Sequence, residues 1–277
     1  MDTLFPPPVA TPFEVFAAVV STALYLLVGI AAVARAPRDV RTKVFLATAV
    51  ASAAPYSVTV LLWARGAGAA FTLPVMAIVG LSLMFGSLTL FHFTQVFPWR
   101  RPWIRAHWRW LLAGYLLVPI ALACPIWAFG PMVQEMASIS SSASGGLGAV
   151  SVGLSESLVL LVVALPALFV LGLVVPFAAL FSLYKSWLAA KAGGVEAARV
   201  TTFAILISQM AGGVLTILII PLLHLVAPAG PWVAIAATLL FAFGLLMPLA
   251  FAAGIWKYRI LDLDPDSPPP ASGYRRA

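Results

Sequence analysis

Charge is what this 277-residue chain most lacks: Asp, Glu, Lys and Arg together make up 9% of it, against about 25% in a soluble globular domain. A water-facing surface cannot be built from that supply. Cysteine is nearly absent as well. Cys124 alone, in an apolar run, excludes an internal disulfide and a cysteine-based metal cluster, and it reads as a small packing residue. The chain has no Gly-x-Ser-x-Gly elbow, no His-Glu-x-x-His pair and no Walker loop, so nucleophile, metal and phosphate chemistry lack their usual parts. The expectation is a non-enzyme with no cofactor and no metal.

What is present is apolar: 62% of the residues are hydrophobic and the mean hydropathy is +1.05. This composition reads as an all-α integral membrane protein. The formal charge of +7 would suggest a nucleic-acid partner in a soluble chain. Here the basic residues flank apolar spans, so they answer to membrane lipids and insertion topology, and no nucleic acid is expected.

The stretch Gly86 to Trp110 sets the pattern. No charged residue occurs from Gly66 to Trp99, which is enough chain to cross a hydrocarbon layer needing about 20 apolar residues. Pro98 and Pro102 then stop the helix. Trp99, Trp103, Trp108 and Trp110 suit the headgroup zone, and Arg100, Arg101, Arg105 and Arg109 mark a cytoplasmic face.

The same pattern, followed along the chain, predicts helices over about 13–34, 44–64, 71–97, 108–128, 158–184, 198–223 and 232–257. Residues 1–12 are an external leader without the features of a signal peptide, and 35–43 is a basic connection with Asp39 as its one acid. Pro119 and Pro125 should bend the fourth helix, and Pro166 and Pro176 lie inside the fifth. The serine- and glycine-rich connection 130–157 reads as a lid or as a flexible linker. Val200 to Trp256 carries no Asp, Glu, Lys or Arg and would make about 85 Å of helix, too long for one crossing. Two helices are therefore expected, broken near His224 to Pro231. Seven helices with the amino terminus outside and the carboxyl terminus cytoplasmic place every lysine and arginine but Arg65 on the inner side, as the positive-inside bias requires. Residues 265–277, proline-rich, read as a disordered cytoplasmic tail.

No span holds an ionised residue near its middle, which argues against a proton pump, an ion-coupled carrier or a voltage sensor. Neutral polar groups remain. His92 and Gln95 on the third span, and Ser208 and Gln209 beside Gly212 and Gly213 on the sixth, either line a pocket or serve as interhelical hydrogen bonds. His92 and His224 fall at opposite membrane boundaries and cannot share a haem iron. Retinal would need a lysine inside the seventh helix, and Lys257 lies past its end.

The chain leaves the last span as Trp256, Lys257, Tyr258, Arg259, Ile260, Leu261, Asp262, and the third span ends on Leu90, Phe91, His92, Phe93 followed by Val96, Phe97, Pro98. Both strings resemble the amino-terminal seven-transmembrane sensor regions of bacterial histidine kinases and related phosphatases. The resemblance implies a sensory or regulatory module of the bacterial inner membrane, with Trp256, Lys257, Tyr258, Arg259 and Asp262 coupling helix movement to an effector. A kinase domain is not expected after the short proline-rich segment that begins at Pro265, so output is expected to pass through a separate membrane or cytoplasmic protein partner. The alternative is an accessory or scaffolding subunit of a larger membrane complex.

Overall fold

The structure is a computed structural model that describes residues 12–64, 72–104, 106–117, 170–219, 222–223, 226 and 231–267. Among them the chain is helical, with no strand. Helix α1 is Pro12–Arg35, α2 Val40–Ala64, α3 Thr72–Val96, α4 Val175–Ala192, α5 Glu196–Val214 and α6 Pro231–Trp256. Residues 102–104 and 106–117 are also helical. Val170–Val174 before α4 and Leu215–Ile219 after α5 are wound as π turns, and a 3-10 turn, Ile260–Asp262, follows α6. Among the described residues four stretches, Val15–Arg35, Gly172–Ala192, Glu196–Val214 and Thr238–Trp256, are long and apolar enough to cross a membrane. This is a membrane protein.

Cys124, the bends at Pro119 and Pro125, the 130–157 connection, Pro166, Arg65, His224 and the two terminal segments up to 11 and from 268 lie outside the described residues.

The helices pack as a closed ring: each of α1 to α6 lies against the next, and α6 returns against α1. Small residues set the close approaches. A Cβ built on Gly29 would stand 2.8 Å from Leu46 Cδ1 and 3.3 Å from Leu46 Cα, so a larger residue there would force Leu46 or the α1–α2 approach to give way. Helix α6 closes the ring through a polar contact that its own proline creates. Pro248, inside α6, has no N–H, so the Gly244 carbonyl four residues earlier loses its helical donor. The Tyr25 hydroxyl of α1 donates to that carbonyl at 3.0 Å.

Two boundaries differ from the sequence reading, for one physical reason. Helix α2 begins at Val40, inside the expected connection, and α4 continues past Tyr184 to Ala192. Lysine and arginine mark where a membrane ends, yet they are good helix formers and do not end a helix. Stereochemistry does. Asp39 starts α2 as its N-cap, its Oδ1 accepting from the Arg41 N–H at 2.8 Å. Gly194, with φ of +67°, ends α4 in a Schellman turn, where the Val195 N–H donates to the Ala190 carbonyl at 3.0 Å and the Gly194 N–H to that of Lys191 at 3.4 Å.

Candidate functional site

The α1–α2 turn, residues 97–101, the α4–α5 turn and the segment after α6 gather at one end of the ring, the basic end. Its centre is Arg41, the second residue of α2. The side chain is 1% exposed, and moving a charge that far from water costs several kcal/mol unless every donor is met. Every donor is. Nε faces both Asp39 carboxylate oxygens, at 3.1 and 3.0 Å. Nη2 donates to Asp39 Oδ2 at 2.7 Å and to the Leu261 carbonyl at 2.9 Å. Nη1 donates to the carbonyls of Pro98 at 3.1 Å and Ile260 at 3.2 Å. The five N–H groups of the guanidinium are thus all used, and a lysine, with three donors on a point charge, cannot replace it.

The carbonyls that Arg41 collects are freed by two chain reversals. Helix α3 ends at Val96 and the Phe97–Pro98 peptide is cis; Arg101 then turns its N–H back to the Gln95 carbonyl at 2.9 Å. Helix α6 ends at Trp256, and Arg259 adopts φ 51° and ψ 41°, the left-handed region. For a residue with a Cβ that conformation costs roughly 1–2 kcal/mol. It sends the chain back towards the bundle, where Ile260 is fully buried. The Arg100 N–H donates to the Pro265 carbonyl at 2.6 Å, and its half-buried side chain lies 3.8 Å from exposed Asp266.

Beneath Arg41 is an aromatic cluster. Phe45, one turn further along α2 on the same face, stacks on Phe251 of α6 with ring centroids 3.9 Å apart, and Phe93 and Phe97 of the α3 end each lie 5.6 Å from Phe251. All four rings are 0% exposed. The clasp and the cluster therefore join the same three pieces of chain, α2, the end of α3 and the end of α6.

A second arginine extends the connection to α4. Arg101 Nη2 donates to the Ser182 carbonyl at 2.9 Å and lies 3.0 Å from Ser186 Oγ. Burial lowers its pKa from the usual arginine value, and it remains charged at any physiological pH. Gln95 Nε2 donates to Ser182 Oγ at 3.1 Å, and that hydroxyl donates to the Thr94 carbonyl at 3.2 Å.

The four polar residues singled out in the sequence divide into two groups with different partners. Gln95 joins α3 to α4, and His92 Nδ1 lies 3.3 Å from the Tyr115 hydroxyl. Ser208 donates to the Phe243 carbonyl at 2.7 Å, and Gln209 Nε2 lies 3.0 Å from Met247 Sδ; both contacts join α5 to α6 beside the Pro248 break. Of the expected coupling residues, Trp256, Lys257 and Asp262 are exposed, Lys257 lies over the Tyr258 ring at 5.3 Å, and Arg259 supplies the reversal. Their neighbours Ile260 and Leu261 make the contacts that hold the segment.

Arg41 and Arg101 had read as headgroup-facing topology markers and Trp99 as an interfacial ring; the structure turns both arginines inward and leaves Trp99 7% exposed. One signal was available: Asp39 is the single acid in a basic connection and stands two residues before Arg41, the spacing of an N-cap and its paired side chain. Among the described residues no group of three or more His, Cys, Asp or Glu is placed to hold a metal. Comparison with protein-family models, curated proteins and solved structures returns no match to this chain.

Proposed function

We propose that the chain is a sensory or regulatory module of a bacterial inner membrane, a seven-span bundle with its amino terminus outside and its carboxyl terminus in the cytoplasm. Its output is the segment after α6, presented to a separate protein partner. The observation that carries this reading is the Arg41 clasp. A topology anchor needs only charge at the boundary, and exposed Lys257 and Arg259 supply that. Here the exit is folded back through a left-handed residue and held by carbonyl contacts to a buried guanidinium on another helix. Two states follow from such an arrangement: docked, with Ile260 in the core, and released, with Ile260 to Asp266 free to reach a partner. A stimulus that moves α2 or the end of α3 relative to α6 changes the balance between them, because the clasp spans all three.

The reading is tested by a photocrosslinker placed at Leu263 in native membranes, with Arg41→Gln compared to the parent chain. Release should increase crosslinking to a kinase, phosphatase or other cytoplasmic regulator. Recovery instead of one stoichiometric membrane complex, with crosslinking indifferent to Arg41→Gln, would replace regulation by an accessory-subunit role.

A further inference from the structure

The outer face of the α4–α5 hairpin carries a paired cation and ring arrangement that none of the contacts above uses. Trp187 of α4 and Phe203 of α5 face each other with ring centroids 5.6 Å apart, and Tyr184 continues the row 5.9 Å from Trp187. Tyr184 and Phe203 are exposed although large and aromatic. Because the two helices run in opposite directions, one turn from each ring towards the Gly193–Gly194 reversal leads to a cation on either side. Lys191 stands four residues after Trp187, its Nζ 5.4 Å from the ring centroid, and Arg199 stands four before Phe203. Both are exposed.

The depth of this group follows from the membrane crossings. Gly172–Ala192 and Glu196–Val214 are spans, so Lys191 and Arg199 occupy the last turn of one and the first turn of the next. That is headgroup level, with Trp187 and Phe203 about 6 Å deeper and Tyr184 about 10 Å deeper, at the start of the acyl chains, where exposed Lys185 reaches back to the headgroups along its apolar stem. Lys191 has no acidic partner among the described residues, and Arg199 has only Glu196, 4.0 Å away in an exposed i,i+3 pair of the kind that contributes little.

We infer that the α4–α5 hairpin binds an anionic phospholipid, its phosphate held between Lys191 and Arg199 and its acyl chains laid along Trp187, Phe203 and Tyr184. Two cations, one on each side of the turn, match the net negative charge of a phosphodiester whose headgroup brings no cation of its own. A zwitterionic headgroup would bring its own cation against them. The aromatic row below them excludes a freely soluble anion as the intended occupant, since such an anion makes no use of exposed rings. This inference rests on the membrane reading and not on the signalling role, so the two fail separately.

The test is native mass spectrometry of the detergent-purified chain titrated with phosphatidylglycerol and phosphatidylcholine. The parent chain should retain phosphatidylglycerol preferentially, and Lys191→Gln with Arg199→Gln should weaken that retention by roughly 30-fold, the product of two surface cation contacts. The exposed pair Arg38→Gln with Lys43→Gln at the same end of the bundle serves as control and should leave it unchanged, and Lys191→Arg with Arg199→Lys should preserve it. On the parent chain alone, the preference should fall with rising salt, and added inorganic phosphate should not displace the lipid beyond what matched chloride does. Equal loss in both Gln pairs, no loss in the Lys191 and Arg199 pair, or displacement by phosphate alone would each overturn the assignment.

Discussion

Replacing Arg41 by Ala isolates the energy that keeps the exit segment docked. In the parent chain two guanidinium bonds reach the segment, at Ile260 and Leu261, and hydrogen bonds to a charged group contribute about 1.5–3 kcal/mol each. Burial of the Ile260 side chain adds about 2 kcal/mol, and the left-handed Arg259 returns roughly 1–2 kcal/mol of it on release. The docked state is thus favoured by about 3–6 kcal/mol through Arg41, with a further contribution of about 0.5–1.5 kcal/mol from the Arg100 N–H bond to the Pro265 carbonyl. Removing Arg41 also orphans the Pro98 carbonyl and leaves Asp39 without its cation. Loss of one member of a buried pair costs about 3–5 kcal/mol, and opening the segment to water is the cheapest way to relieve it. The assay is maleimide labelling of Ile260→Cys in a Cys124→Ala background, because position 260 is buried only while the segment is docked. With Arg41→Ala the labelling rate should rise at least about 100-fold, the lower bound of that 3–6 kcal/mol range. Arg41→Lys, keeping the charge but losing donors, should fall between the two. Unchanged labelling in a helical, monodisperse Arg41→Ala protein would refute the clasp as the holding element.

Three further outcomes follow from particular contacts. Gly254→Ala places a Cβ 2.9 Å from Thr201 Oγ1 and Cγ2, a side chain stiff at χ1, and should lower thermal stability by about 1–3 kcal/mol, whereas Gly213→Ala, which no described residue crowds, should be neutral or slightly stabilising in the same melting experiment. Tyr25→Phe removes the donor to the Gly244 carbonyl and should cost about 1–3 kcal/mol; in a Pro248→Ala background, which restores an N–H to that carbonyl, the cost should shrink, and an additive double-mutant cycle would contradict the role assigned to the hydroxyl. Single cysteines at Ser141 and Ser267 in Cys124→Ala should label from outside and inside intact cells respectively, and labelling of Ser267 from outside would reverse the proposed orientation.

Membrane residence was legible in the sequence because transfer into hydrocarbon is a property of each residue taken singly. Summed along Val15–Arg35 or Thr238–Trp256, it identifies a span without reference to any neighbour. The division of the uncharged run from Val200 to Trp256 into α5 and α6 was legible for a similar reason, since length alone forbids one crossing. Helix ends were less so: Lys185 and Lys191 announce a membrane boundary, but α4 runs on until Gly193 and Gly194 permit a turn. The candidate site was the least legible part. Arg35, Arg38 and Lys43 are exposed as the boundary rule expects, and Arg41, from the same short basic stretch, is among the most buried residues. Nothing in a one-residue energy separates them, because a guanidinium is stable inside only where a carboxylate and three freed carbonyls converge on it. Those carbonyls come from Pro98, Ile260 and Leu261, up to 220 positions away along the chain. Their convergence is a property of the closed ring, in which α6 returns to α1 and α2, and only the tertiary structure could decide it.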